Sequence, residues 1–239
     1  NDRLIKLDSS GSAVGSSIDT GVDNAEGVTY HSGSLYITFS VDGNQGANGN
    51  IKAYDIANAS WGSAAEVNGL QWSTTFKGIA SNGSTIFLSQ GGGSVLAEVD
   101  TAAEVDEQGE CNNGCNEISS GSDSAAYHSS KGNYYIAKNN DIGIVAAVNG
   151  NQTQQTGSYT DLTYDGSNLK IRGMVIVGNV IYFADDGDDQ ILKASIPTGE
   201  TTDPQALASD GTYLWVVTDG STGTDSLLKL NEATGAKEA

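Results

Sequence analysis

Five stretches of this chain share one plan, and a recurring plan constrains the fold more than any single motif. The clearest copy is Arg172 to Ala194, RGMVIVGNVIYFADDGDDQILKA. It reads as an apolar run, a tight Gly-Asn turn, a second apolar run ending in acids, and a third run. That is an antiparallel meander of three strands and two turns. The others are EGVTYHSGSLYITFSVDG with NIKAYDI from Glu26, KGIASNGSTIFLSQGGG with SVLAEVD from Lys77, DSAAYHSSKGNYYIAKNND with IGIVAAV from Asp123, and QALASDGTYLWVVTDG with SLLKLNE from Gln205. With the second strand marked at Leu35, Ile86, Tyr134, Ile181 and Leu214, the copies are spaced 51, 48, 47 and 33 residues apart.

That period suits a four-stranded blade, so the expected fold is all-β: a β-propeller of five recognisable four-stranded blades plus an extra N-terminal strand pair, five- or six-bladed in all. The blades are expected near 26–76, 77–122, 123–171, 172–203 and 204–239 of a single domain, with residues 1–20 as the extra pair. In this rhythm of charged residue, glycine and apolar run, turn, apolar triplet, acidic loop and Leu-x-Lys-Leu-Asp, the chain resembles the NHL-like and YVTN-like propellers. The resemblance is one of architecture and brings no catalytic signature with it. The polar stretch NGNQTQQTGSYTDLTYDGSNLKI is hard to phase, because LTYDGSNLKI imitates VTYHSGSLYI of the first copy.

Leu4-Ile5-Lys6-Leu7-Asp8 matches Leu227-Leu228-Lys229-Leu230-Asn231 near the other end, and both read as third strands of a blade. A ring needs one copy, since an open sheet edge leaves N–H and C=O groups unpaired. Three accounts of the surplus stand: a partial blade within the molecule, a fragment of a longer chain, or pairing of Leu4, Ile5 and Leu7 with Leu227, Leu228 and Leu230 of a neighbour. The last gives a head-to-tail polymer.

Just ahead of the five inner strands stand Glu26, Lys77, Asp123, Arg172 and Gln205. If the blades align, these meet at one mouth of the central channel with alternating sign, so that each carboxylate faces two cations. The set reads either as an ionic plug that fixes blade order or as a polar ligand site. The plug is the stronger reading, because charges that neutralise one another have little left for a substrate. Lys77→Ala is then expected to weaken the fold. The inner strands themselves offer no nucleophile beside a base. Lactonase-like propellers hold a divalent metal near the axis, and that resemblance implies ligand roles for Glu26 and Asp123, against which Lys77 and Arg172 place cations.

Asp185, Asp186, Asp188 and Asp189 crowd one loop and repel unless water screens them or a cation sits among them; calcium is the natural ion. A second candidate calcium loop holds Asp42, Asn44, Asn48 and Asn50, where a plain Gly/Asn loop is the stronger reading. Cys111 and Cys115 in ECNNGCNE suit a small disulfide loop, which implies an oxidising compartment. Asn58, Asn82 and Asn151 open Asn-x-Ser/Thr triplets that permit glycosylation. Trp61 and Trp72, with Tyr127, Tyr134, Tyr135, Tyr159 and Tyr164, read as packing between blades before they read as a sugar-stacking surface.

A net charge of −19 argues against nucleic acid as a partner, because binding phosphates needs basic surface. No apolar run reaches the roughly 18 residues of a membrane span. The expectation is therefore a secreted, extracellular or cell-surface propeller without catalytic activity. It would act as a structural or adhesive module, with itself, a surface protein or a glycan as partner. A calcium-dependent hydrolase or lactonase and a carbohydrate-binding propeller are the alternatives.

Overall fold

The computed structural model describes residues 2–8, 12–40, 49–70, 75–110, 121–148 and 153–195, together with the backbone of strands 204–209, 213–218 and 226–231. All its regular elements are strands. The first blade is a meander of β3 (Ala25–His31), β4 (Ser34–Phe39), β5 (Asn50–Asp55) and β6 (Ser60–Glu66). The second is β7 (Phe76–Ser81), β8 (Ile86–Gln90), β9 (Val95–Val99) and β10 (Val105–Glu110), and the third is β11 (Ser124–His128), β12 (Asn133–Lys138), β13 (Asp141–Val145) and β14 (Gln155–Tyr159). The fourth shows three strands, β17 (Ile171–Val177), β18 (Val180–Asp185) and β19 (Gln190–Ser195). The fifth also shows three, β20 (Pro204–Ser209), β21 (Tyr213–Thr218) and β22 (Ser226–Asn231). Small antiparallel sheets, the first four stacked face to face in chain order, make this a β-propeller.

Two short pairs complete the list. The ambiguous LTYDGSNLKI stretch is a hairpin of its own, β15 (Thr163–Tyr164) with β16 (Ser167–Asn168), and lends no strand to a blade. At the N-terminus β1 (Arg3–Leu4) pairs β2 (Ile18–Asp19), extended by a bridge from Leu7 to Ala13. Here Asp8 Oδ1 accepts the Ser12 N–H, as Asp100 Oδ1 accepts those of Ala102 and Glu104 between β9 and β10. The shared aspartate-capped turn makes β1–β2 a third-and-fourth-strand hairpin. Trp61 Nε1 donates to Asp19 O, Lys52 Nζ to Thr20 O, and Asp2 Oδ2 accepts the Ala25 N–H, which fastens the hairpin to the first blade.

Three buried clusters fill the spaces between successive blades. Tyr36 and Ile51 meet Ile79, Leu88 and Val99; Ala80 and Phe87 meet Ala125 and Tyr134; Ala126 and Tyr135 meet Met174 and Phe183. Tyr134 and Tyr135 therefore work inside the fold, whereas Tyr164, on the separate β15–β16 hairpin, is 51% exposed and packs between no blades. Tyr134 stacks on Phe87 at 4.1 Å between centroids, and Tyr135 stacks on Tyr159 at 6.4 Å. Burial pushes the Tyr135 hydroxyl up to about 12, with the neighbouring Tyr159 adding to the rise.

Candidate functional site: the charged mouth of the channel

The charged residue ahead of each inner strand stands at a break in register. Pairing slips between Ala25 and Gly27, Phe76 and Gly78, Ile171 and Gly173, and Pro204 and Ala206. The residue left over is in turn Glu26, Lys77, Arg172 and Gln205. In the third blade Ser124 pairs with Ala137 while Asp123 N also donates to Ala137 O at 2.7 Å, so Asp123 takes the same place. A bulged residue leaves the pleat and its side chain is re-aimed, which here turns Glu26 and Lys77 toward each other, and Asp123 and Arg172 likewise.

In the first two blades the glycine that follows, Gly27 or Gly78, permits the close approach of the neighbouring inner strand. A Cβ on Gly78 would stand 2.9 Å from the Ser124 carbonyl carbon and 3.1 Å from Ala125 N. Thr38 on β4 joins the first two blades: its Oγ1 accepts the Gly27 N–H at 3.1 Å and donates to Lys77 O at 3.0 Å. The equivalent hydroxyl in the second blade, fully buried Ser89, accepts from Ser122 Oγ at 2.6 Å.

At the mouth, Lys77 Nζ lies 3.5 Å from Glu26 Oε2, and Arg172 Nη1 lies 3.0 Å from Asp123 Oδ1. Arg172 Nε also reaches Asp186 Oδ2 at 3.5 Å. Among the described residues the mouth is therefore two ion pairs, each joining a blade to the next, and the expected alternation in which each carboxylate faces two cations is not what forms. The reason is reach: the bulges bring charges of consecutive blades together in twos, and the acidic loop of the fourth blade supplies Arg172 with its second anion. Asp123 is buried and its Oδ2 also accepts the Asn139 N–H, whereas Glu26, Lys77 and Arg172 keep about a third to a half of their side chains in water. The Gln205 side chain lies outside the described residues.

Below the mouth the channel is lined by Val28, Thr29, Tyr30, Ile79, Ala80, Ala125, Ala126, Met174 and Val175 from the four inner strands, around a space of about 330 Å³. A second space of about 360 Å³ opens between the first and fourth blades, under the N-terminal hairpin.

The acidic loop does not converge on one point. Asp185 is buried; its Oδ1 accepts the N–H groups of Lys170 and Gly187 and its Oδ2 faces Gln190 Nε2. The backbone N–H of Lys170, first among these donors, holds its carboxyl below the usual range. Asp186 turns to Arg172, while Asp188 and Asp189 point to solvent-exposed positions. Among the described residues no three His, Cys, Asp or Glu stand close enough to hold a metal ion. Asp42, Asn44, Asn48, Trp72, Cys111, Cys115 and Asn151 lie outside the described residues. Asn58 Nδ2 donates to Asp55, and Asn82 Nδ2, the atom a glycan would take, donates to Tyr134 Oη at 2.8 Å and Thr85 Oγ1 at 2.9 Å.

Sequence reasoning placed the charged positions but missed the bulge beneath them, although the repeated charged-residue–glycine step was its signal. It also missed the opposite end of the inner strands. There His31 Nδ1 meets Ser81 Oγ at 2.8 Å, and the fully buried His128 has Ser130 Oγ 3.2 Å from its Nδ1. Burial, with the Lys131 charge behind it, holds the His128 imidazole below its ordinary value, against a weaker opposite pull from Asn179.

No family model matches the chain, and no curated protein does. Among solved structures it is similar to the glutaminyl cyclase of Myxococcus xanthus, with a TM-score of 0.54 at 12% identity over 80% of this chain and 84% of the cyclase. It is also similar to the periplasmic gluconolactonase of Pseudomonas aeruginosa, with a TM-score of 0.42 at 12% identity over 99% and 90% of the two chains. A chain of the nidogen/laminin complex gives 0.42 at 12% identity over 90% and 78%. At such identities the likeness to the cyclase is one of fold alone, and the fold is the β-propeller. It does not single out the NHL-like or YVTN-like propellers.

Proposed function

We propose that this chain is a non-catalytic β-propeller of the cell exterior, a structural or adhesive module that assembles through a terminal strand. The observation that carries the reading is the pairing at the mouth. The charged residues of four blades bind one another across blade boundaries, Glu26 with Lys77 and Asp123 with Arg172, so the polar groups nearest the axis hold the ring together. The assembly part has its own support. β1 and β22 hold the same place in the repeat, and among the described residues β1 pairs only with β2 and β22 only with β21. Within one ring both third strands run the same way, so β22 cannot pair with β1 in antiparallel fashion; between two molecules that restriction is absent. A contact of this kind is head-to-tail and leads to filaments.

Size exclusion with light scattering and negative-stain microscopy of the purified protein test the reading. Concentration-dependent filaments, lost when Ile5 and Leu7 are replaced by lysine, are the expected result. A strict monomer at all concentrations contradicts the assembly.

The other reading is an enzymatic propeller with its site at the same mouth, a hydrolase or lactonase served by calcium; it draws on the fold shared with an enzyme. It requires Asp123 to leave Arg172 in order to serve as ligand or base. Calcium-dependent lactone turnover abolished by Asp123→Asn would establish it in place of the first.

A further inference from the structure

The triplets that open at Asn58 and Asn82 share a sequence pattern and differ in what the fold has already done with the side-chain amide. An amide nitrogen carries two hydrogens, and an N-glycosidic bond replaces one of them with the anomeric carbon of a sugar. A glycosylated asparagine therefore keeps one N–H and its carbonyl oxygen. Whether a triplet in a folded chain can accept a sugar then turns on how many of those hydrogens the fold requires, and on how many contacts must open to present it.

At Asn82 the fold requires both hydrogens. Nδ2 donates to Tyr134 Oη at 2.8 Å and to Thr85 Oγ1 at 2.9 Å, while Oδ1 accepts the N–H groups of Ser84 and Thr85, each at 2.8 Å. Those two backbone donors settle which end of the carboxamide is the oxygen. Tyr134 is buried and stacks on Phe87, so the amide reaches from the β7–β8 turn of the second blade into the third. A sugar on Nδ2 would remove one of its two bonds and would have to enter a blade boundary.

At Asn58 the fold requires one. Asn58, Ala59 and Ser60 are all exposed, in the turn from β5 into β6. Nδ2 donates to Asp55 Oδ2 at 2.7 Å, and because a carboxylate only accepts, the nitrogen end is fixed here too. Among the described residues the second hydrogen has no acceptor. Asp55 Oδ1 also accepts the N–H groups of Ala57 and Asn58, so the turn is held by backbone bonds that a sugar leaves in place. β6 is the edge strand of its sheet, with β5 as its one neighbour there, and Ala59 sits at a φ of 49°. Presenting this triplet peels back one edge turn and releases a left-handed residue, whereas presenting Asn82 opens four hydrogen bonds and a blade contact.

We infer that Asn58 is an acceptor site for an N-linked sugar, and that Asn82, with the same triplet, is a structural residue closed to it. The donor is a diphosphate-activated sugar. Asn58 Nδ2 bonds to the anomeric carbon, the C1–O bond to the diphosphate breaks, the diphosphate leaves with the bonding electrons, and the displaced Nδ2 proton passes to a base of the transferase. The N–H that remains keeps its bond to Asp55. Asp55 aligns with Ser34 and His31, so this turn stands at the end of the first blade opposite Glu26, and the sugar leaves the mouth pairs untouched. The site adds to the proposed module and does not depend on its assembly.

The test gives a soluble N-glycosyltransferase and a nucleoside-diphosphate glucose to the purified folded protein and, in parallel, to peptides from its own digest. Peptide mass spectrometry reads the hexose at each asparagine. Both triplets should be modified among the peptides, and in the folded protein Asn58 should be modified at least about tenfold more than Asn82, the difference in local opening. Equal modification of the two in the folded protein, or an Asn58 that stays bare there or among the peptides, overturns the inference. Thermal unfolding supplies a second readout. Asn58→Gln should leave the midpoint nearly unchanged, since the bond it loses lies at the surface, while Asn82→Gln should lower it by several degrees. Equal midpoints would contradict the division of roles.

Discussion

Gly78 of the second blade stands against Ser124 of the third so closely that a methyl group on it would lie 2.9 Å from the Ser124 carbonyl carbon, backbone that cannot swing aside. At this blade boundary the glycine after Lys77 is therefore a packing requirement, because it lets two strands touch. Gly78→Ala is expected to destabilise the fold by about 1–3 kcal/mol, the usual range for overpacking. The same change at Gly83, whose added Cβ would meet nothing within 4 Å, pays only for its positive φ of 92°. Denaturant unfolding of the two variants separates crowding from backbone strain, and equal losses would remove the crowding argument.

Thr38 offers a second check on the blade boundary. Thr38→Val keeps the shape but leaves the Gly27 N–H without its acceptor and the Lys77 carbonyl without its donor, at an expected cost of about 1–3 kcal/mol. Thr38→Ser retains both bonds and should recover most of that loss in thermal unfolding.

His128 gives the fold a pH dependence of known sign. Its folded pKa is depressed by burial, so the unfolded chain takes up the proton first. The stability it contributes is present above the unfolded value of about 6.5 and declines as pH falls below it, toward the lower folded value. Carboxylates such as Asp185, also depressed in the folded state, add their own loss at lower pH. His128→Phe should flatten the stability profile between about pH 5 and 7 and leave the steeper acid limb; an unchanged slope in that window would show that the buried imidazole is not responsible.

Much of this architecture is legible in the residues. The meander spacing and the glycine turns are local patterns, and the chain obeys them; of the five mouth positions, Glu26 pairs with Lys77 and Asp123 with Arg172. The continuous alternating ring was not legible, because whether Lys77 turns to Glu26 or to Asp123 is decided by bulge geometry and by Asp186 arriving from another loop. The acidic run DDGDD likewise looked like one site, yet Asp185 folds inward to cap its own loop while its neighbours turn away. Sequence distance says that four carboxylates are near; only the backbone says where each one points. The imitation of the first copy by LTYDGSNLKI misled for a related reason, since two residues on each side of a tight turn suffice for a hairpin but not for a blade.

The mouth pairs also differ in weight, in a way the sequence could not rank. Lys77 and Glu26 are both about one-third exposed at 3.5 Å, where such pairs contribute about 0–1 kcal/mol, so Lys77→Ala should shift stability little. Asp123 is buried, holds the Asn139 N–H and meets Arg172 at 3.0 Å, so its loss should be the larger.

A double-mutant cycle on Asp123 and Arg172 tests the central claim, that the mouth charges are clamps between blades. With Asp123→Ala, Arg172→Ala and the double variant measured by denaturant unfolding, a favourable coupling of about 1–2 kcal/mol that shrinks in 1 M salt is predicted. Additive losses with no coupling would contradict it and return the mouth to candidacy as a binding or catalytic site.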